Sequence, residues 1–129
     1  MSVGILVITH NCAGKYMMET AAETFERCPV LYEVITAARD CDPDAVARCA
    51  VAALKHLDNG DGVLVLTDLY GATPSNIATN LLDNPGVRMV SGLNLSMLIK
   101  VLNYADLGLE ELAGKAVVGG REGVFMVGQ

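Results

Sequence analysis

Short runs of apolar residues recur along this chain, and segments with helical periodicity separate them. Three of these runs cover residues 3–9, 30–36 and 63–67. Apolar runs of this length are typical of strands that are buried on both faces of a parallel sheet. Their alternation with helices predicts an α/β fold: an open, mostly parallel, doubly wound sheet with helices on both faces.

The segments around these strands carry the signals of helix starts. Asp42 is predicted to cap one helix, with Pro43 in its first position, and Asn94 is predicted to cap another. The complete prediction places helices at about 13–27, 43–57, 73–83, 95–102 and 109–119, and further strands at 87–90 and 123–127. No repeat or linker interrupts this pattern, so we expect a single domain over residues 1–129.

Composition limits the classes of protein to which the chain can belong. Apolar residues make up 52% of the sequence and charged residues only 19%, which argues against disorder. The net charge of -6 disfavours binding to nucleic acid or to an anionic membrane. Because the sequence shows neither a signal peptide nor an apolar run of membrane-spanning length, we expect a cytoplasmic protein.

The cysteines do not follow a zinc or disulfide pattern. Cys12, Cys28, Cys41 and Cys49 contain no CxxC pair. We therefore expect reduced thiols and no metal site. A nucleophilic role for Cys12 is not expected either, because no arginine follows it closely as it would in a phosphatase loop.

His10 directly follows the first apolar run. Open α/β folds bind their ligands at the carboxyl ends of parallel strands, and imidazole is a nucleophile that can carry a phosphoryl group. A surface or capping histidine would give the same pattern, so the position alone leaves both roles open. His56, near the end of a predicted helix, is expected to be structural or solvated, because histidine there interacts favourably with the helix C-terminus.

The segment Thr67–Asn76 follows the third apolar run in the same way. If the first and third strands are neighbours, His10 and Asp68 meet over one crevice. Asp68 would then accept a hydrogen bond from one imidazole nitrogen and leave the other free to attack. An aspartate in this position also suits a simple turn.

The rest of this segment combines a glycine with a polar helix start. Gly71 lets the backbone approach a ligand closely, and the free N–H groups of a helix N-terminus bind phosphate. Thr73, Ser75 and Asn76 fit such a site, but they also fit a structural role as helix caps.

Together, His10 and the segment Thr67–Asn76 resemble the IIA component of the mannose/fructose/sorbose family of the bacterial phosphoenolpyruvate:sugar phosphotransferase system. The family pattern after the third strand is an acidic residue, a bulky residue, Gly-Gly-Ser/Thr-Pro and a small-Asn pair. Ala72 departs from it, since the family often has a second glycine there. The resemblance covers nearly the whole chain. It implies an open α/β fold, usually dimeric, in which the strand at 123–127 would be antiparallel at a sheet edge.

The resemblance implies a phosphoryl relay through a histidine. The phosphocarrier HPr would donate the group to His10, with Asp68 as the carboxylate partner, and a IIB protein or domain would accept it. The residues implied to bind the phosphate are Thr67, Gly71, Thr73, Ser75 and Asn76. The resemblance also implies a homodimer, no metal or organic cofactor, and only indirect contact with a membrane, through a permease.

Two other interpretations stay open at this point. One is the phosphotransfer subunit of a dihydroxyacetone kinase system, which has a similar fold and a histidine in the same place. The other is a flavodoxin-like signalling module without transfer activity, although a receiver module would need an acidic cluster after its first strand. Whether a IIA protein of this kind serves sugar uptake or only regulation is likewise left open.

Overall fold

The computed structural model describes residues 2–128, and its strands form one parallel sheet. The strands are β1 (Gly4–His10), β2 (Tyr32–Ala37), β3 (Val63–Thr67) and β4 (Val87–Ser91), in the order β2-β1-β3-β4. Because β1 and β3 are central neighbours, the winding direction of the sheet reverses between them. The predicted open, parallel α/β sheet is confirmed.

The helices begin largely where the sequence predicted. They are α1 (Ala13–Glu23), α2 (Pro43–Leu57), α3 (Thr73–Asn80), α4 (Leu95–Asn103) and α5 (Leu109–Glu122), with a short 3-10 turn at Leu81–Asp83. Asp42 Oδ1 accepts a hydrogen bond from the Asp44 N–H at 3.0 Å, and Asn94 Oδ1 accepts one from the Met97 N–H at 2.8 Å. Both predicted N-caps are therefore present.

The sheet has a packed apolar layer on each face. Ile5 and Val7 of β1 belong to the layer that includes residues of α1, α4 and α5. Leu6 and Ile8 belong to the opposite layer, with residues of α2 and α3. Successive side chains of a strand point to opposite faces, so a strand buried on both sides must be apolar throughout. This is why the sequence shows continuous apolar runs.

Two predicted helices are shorter than expected at their C-terminal ends. The first helix ends at Glu23 and not near residue 27, because the Thr24 N–H and hydroxyl both bond to the Ala21 carbonyl and tighten the last turn. The third ends at Asn80 and continues to Asp83 only as a 3-10 turn. These differences lie away from the strand ends that carry the candidate site.

The predicted strand at 123–127 is wrong. Helix α5 continues to Glu122, and residues 124–128 form no regular element. Within residues 2–128 this segment has no neighbouring strand, so the hydrogen-bond ladder that defines a strand is not made. The side chains of residues 124–127 are 73–86% exposed, although all four are apolar.

Across residues 2–128, the helices all lack the length and apolar character that crossing a membrane requires.

Substitutions at two helical glycines can show how closely α1 packs on the sheet. A Cβ added at Gly14 would lie 2.7 Å from Val7 Cγ1 and 2.8 Å from Thr9 Oγ1, whereas a Cβ at Gly114 in α5 meets nothing within 4 Å. We expect Gly14→Ala to lower the free energy of unfolding by about 1–3 kcal/mol through overpacking. Gly114→Ala should raise it by about 0.5–1 kcal/mol, because alanine is the better helix former.

Urea denaturation of both variants measures the two free energies. Equal shifts in the same direction would contradict the close contact between α1 and β1.

Candidate functional site

The candidate site lies where the central strands β1 and β3 end side by side. The two strands pair up to Ile8 and Thr67, so His10 and Asp68 emerge next to each other at the carboxyl edge of the sheet. They are 58 residues apart in sequence and in direct contact in the fold. This edge, at the point where the winding reverses, is the usual ligand site of open α/β sheets.

One carboxylate oxygen holds both the ring and the backbone of His10. Asp68 Oδ2 lies 2.9 Å from His10 Nδ1 and accepts the His10 backbone N–H at 3.1 Å. The aspartate side chain is 19% exposed and the imidazole 45% exposed. The contact is therefore partly shielded from water on the carboxylate side, while the imidazole remains accessible.

This contact determines which ring nitrogen of His10 is available. An ionised carboxylate only accepts hydrogen bonds, so the proton of the neutral imidazole belongs on Nδ1. Nε2 then carries the free lone pair. The other carboxylate oxygen, Asp68 Oδ1, is buried and has no hydrogen-bond partner within residues 2–128.

The loop after β3 turns sharply before α3 begins. Gly71 has a φ of +89°, a conformation that side chains disfavour, and a Cβ there would meet nothing within 4 Å. The extended Ala72 then starts the helix, and its carbonyl accepts the Asn76 N–H at 2.9 Å. The side chains of Thr73 and Asn76 are exposed, so both are accessible at this edge.

Two of the predicted phosphate-binding hydroxyls are completely buried. The Thr67 hydroxyl donates to Ser91 Oγ at 3.1 Å, and the Thr67 carbonyl accepts the Leu93 N–H. Ser75 Oγ is buried without a hydrogen-bond partner in the described part of the chain. The structure therefore buries these two hydroxyls, and among the predicted polar side chains only those of Thr73 and Asn76 are exposed.

The turn after His10 contributes residues that the sequence interpretation did not single out. Asn11 has a φ of +47°, and its N–H donates to the Ala37 carbonyl at 3.2 Å. Thr9 Oγ1 accepts the Gly14 N–H at 2.7 Å. The Gly14 bond holds the start of α1 close to the end of β1, and the Asn11 bond joins the turn to the end of β2. An asparagine two residues before a helical segment was the available sequence signal, because asparagine tolerates positive φ.

A third loop also borders the site. A cleft of about 450 Å³ beside His10 is lined by His10, Asn11, Ala37, Ala38, Arg39, Cys41, Pro43 and Thr73. The loop between β2 and α2 supplies Ala38, Arg39 and Cys41. It lies there because β2 is next to β1, with Ala37 opposite His10. The sequence interpretation missed this loop, since strand order within the sheet was needed to place it there.

The second histidine lies apart from this arrangement. His56 Nδ1 is 2.9 Å from Glu33 Oε2, and the two side chains are 68% and 38% exposed. It has no second bond from its own backbone to that carboxylate. Histidine, cysteine, aspartate and glutamate side chains within residues 2–128 do not form a group of three or more that could hold a metal ion.

Comparison with known families gives a match over most of the chain. Residues 4–117 match the family model described as the PTS system fructose IIA component. The mannose-specific EIIAB component of the phosphotransferase system of Escherichia coli K12 is 30% identical over 96% of this chain. The chain spans only 39% of the length of that relative. The transcriptional regulatory protein LevR of Bacillus subtilis is 26% identical over 85% of this chain, which covers 12% of LevR.

Solved structures show the same fold. The mannose/sorbose-specific IIA subunit of Enterococcus faecalis superimposes with a TM-score of 0.88 at 23% identity, covering 100% of this chain and 97% of the other. The EIIA component of Streptococcus agalactiae gives a TM-score of 0.80 at 22% identity, covering 96% of each chain.

The two histidine–carboxylate pairs provide a matched test of tautomer control. We expect Asp68→Asn to convert His10 from the Nδ1–H form to a mixture of tautomers, because an amide can donate to Nδ1 as well as accept from it. Glu33→Gln should change His56 much less, since that pair is open to water and lacks the backbone bond. Imidazole ¹⁵N shifts, recorded at a pH at which the spectra themselves show both rings to be neutral, measure the tautomers.

An unchanged His10 spectrum in Asp68→Asn would show that the carboxylate does not select the tautomer.

Proposed function

Because the chain belongs to the IIA component family of the mannose/fructose/sorbose branch of the bacterial phosphotransferase system, we propose that it carries a phosphoryl group on His10. In this proposal the group arrives from the phosphohistidine of HPr and leaves to a IIB protein or domain. The contact between His10 Nδ1 and Asp68 Oδ2 at 2.9 Å is the observation that supports it best. That contact leaves Nε2 as the nucleophile on a half-exposed ring.

The transfer step exchanges one P–N bond for another. The Nε2 lone pair of His10 attacks phosphorus in line, and the bond from phosphorus to the donor imidazole breaks with its electron pair remaining on the donor nitrogen. The His10 ring keeps its Nδ1 proton during the transfer. Positive charge therefore develops on the His10 ring while the donor ring loses its positive charge. Asp68 stabilises that charge through the Nδ1–H bond, and no proton has to leave the site.

The loop after β3 is proposed to receive the phosphoryl oxygens. The Thr73 and Ser75 N–H groups lie in the first turn of α3, where a helix offers them no intrahelical acceptor. The exposed Thr73 hydroxyl and Asn76 amide add donors, and Gly71 gives the backbone its turn. The hydroxyls of Thr67 and Ser75 are buried, so they are not proposed to contact the phosphoryl group in this structure.

The surface around His10 suits a protein donor better than a small molecule. Leu69 and Tyr70 follow Asp68 directly and are 62% and 74% exposed, so the loop that carries the carboxylate also presents two large side chains to solvent. Exposed apolar groups beside a polar site are typical of protein interfaces. HPr and a IIB protein are the partners that the family relationship suggests, and with these partners we propose a cytoplasmic protein whose contact with a membrane is only indirect.

Regulation is the second candidate function. LevR is named as a transcriptional regulatory protein and aligns with 85% of this chain, so related domains are not restricted to transporters. In that case phosphorylation of His10 would report the state of the relay without feeding a permease. Incubation of the phosphorylated protein with a purified IIB protein separates the two functions, because only the transport function requires rapid transfer onward.

A homodimer is proposed from the free sheet edge. In the described residues β4 pairs only with β3, and a groove of about 640 Å³ lies along β4 and α5. The exposed apolar segment 124–127 begins beside this groove, since Val124 forms part of its lining. Pairing of this segment with the β4 edge of a second copy would cover both surfaces.

His10 is expected to be the residue labelled by HPr. We expect His10→Ala to abolish the acid-labile phosphoryl group formed with phosphoenolpyruvate, enzyme I and HPr, because the nucleophile is lost. His56→Ala should be labelled like the wild type. Intact-mass spectrometry at neutral pH measures the label. Label that persists on His10→Ala, or an unlabelled wild type, would overturn the proposed function.

The dimer is expected to depend on the exposed apolar segment. Met126→Asp should raise the dimer dissociation constant by about tenfold or more, since it puts a charge into an apolar interface. Leu82→Asp is the matched control, because Leu82 is also exposed, at 41%, but lies in the 3-10 turn. Sedimentation velocity measures the constant. A wild-type protein that is monomeric at micromolar concentration would contradict the proposed dimer. So would a dimer dissociation constant that is the same in Met126→Asp as in the wild type.

A further inference from the structure

The phosphoryl group proposed for His10 creates a charge problem at the site. A phosphoryl group brings a charge of about -1.5 to -2 near neutral pH. It would lie on the imidazole ring that already contacts the Asp68 carboxylate, in a chain whose net charge is -6. The positive charge that the phosphorylated ring carries is already paired with the Asp68 carboxylate, and the hydrogen-bond donors of the loop after β3 are neutral. The phosphoryl charge is therefore not balanced by these groups, and a cation next to Nε2 would balance part of it.

The cleft beside His10 contains one such cation. Arg39 lines this cleft together with His10 and Thr73, and no other lysine or arginine lines it. The sheet register explains the placement: Ala37 is paired with His10, and Arg39 follows two residues later in the loop that leads into α2. Arg39 thus lies on the side of His10 opposite to Asp68.

Arg39 has no other partner within residues 2–128. The ion pairs of the described chain involve His10, His56 and Arg88, and none includes Arg39. The nearby Asp42 uses its carboxylate to cap α2. Arg39 is exposed, so its guanidinium group is available to an anion that enters the cleft. Guanidinium groups bind phosphoryl oxygens through two parallel hydrogen bonds, which suits a group held at a fixed point.

We propose that Arg39 is a phosphoryl-binding residue of this protein, which contacts the group on His10 Nε2 and stabilises the phosphorylated form. This inference rests on the proposed function of His10. It adds that the loop between β2 and α2 takes part in the reaction, so the phosphoryl group lies between a cation on one side and the start of α3 on the other. Arg39 would then shift the equilibrium of phosphoryl transfer between HPr and this protein toward the phosphorylated form of this protein.

The first test measures the partition of the phosphoryl group between HPr and this protein at equilibrium. Arg39→Gln should shift the partition toward phospho-HPr by about 5-fold, the upper range for one exposed ion pair. Arg39→Lys should recover part of this loss. Arg48→Gln is the charge-matched control, because Arg48 is exposed on α2 but does not line the cleft. Equal partition in Arg39→Gln and Arg48→Gln would overturn the proposal.

The second test does not depend on HPr. In a His56→Ala background His10 is the one remaining histidine, and phosphoramidate phosphorylates it chemically. The Arg39 Nε–H signal should move downfield and exchange more slowly on phosphorylation, while the Arg48 signal should not change. An Arg39 signal that does not respond would overturn the proposal. If HPr fails to label the wild type but the Arg39 signal responds, the proposed donor is wrong and the assignment of Arg39 stands.

Discussion

The hydrogen bonds between Asp68 Oδ2 and His10 connect the ends of the two central strands. One oxygen accepts from the imidazole ring at 2.9 Å and from the backbone of the same residue at 3.1 Å. The ring bond selects the tautomer, and the backbone bond fixes the position of the residue that bears the ring. Because hydrogen bonds to charged groups are stronger than neutral ones, this small contact can orient a half-exposed side chain.

The topology of the sheet determines what surrounds this contact. Since β2 and β3 flank β1, the loops that follow these two strands meet the imidazole from opposite sides. The loop after β3 brings the carboxylate and the start of α3, and the loop after β2 brings Arg39 and one wall of the cleft. The site thus combines three chain segments that are well separated in sequence. Its charges are also divided, with the carboxylate on one side of the ring and the guanidinium on the other.

The two histidines of the chain show why a contact alone does not make a site. His10 and His56 each lie 2.9 Å from a carboxylate oxygen. His56 is more exposed, lies in the last turn of α2 and does not line the cleft beside His10. His10 lies at the carboxyl edge of the sheet, beside a free helix start and a cation. The surroundings of the pair, and not the pair itself, distinguish the candidate nucleophile.

The sequence alone predicted the α/β fold and the strand at Val63–Thr67, because a strand buried on both faces must be apolar throughout. It also predicted the helix caps Asp42 and Asn94, because capping favours particular residue types immediately before the first turn of a helix. It also pointed to His10 and Asp68 as strand-end residues. Strand order decided the rest: it brought these residues together, buried the hydroxyls of Thr67 and Ser75, and placed Arg39 beside the ring. The segment at 123–127 looked like a strand because it is apolar, yet a strand also needs a neighbour to bond with. Pairing between distant segments leaves no mark in local sequence, so only the tertiary structure determines it.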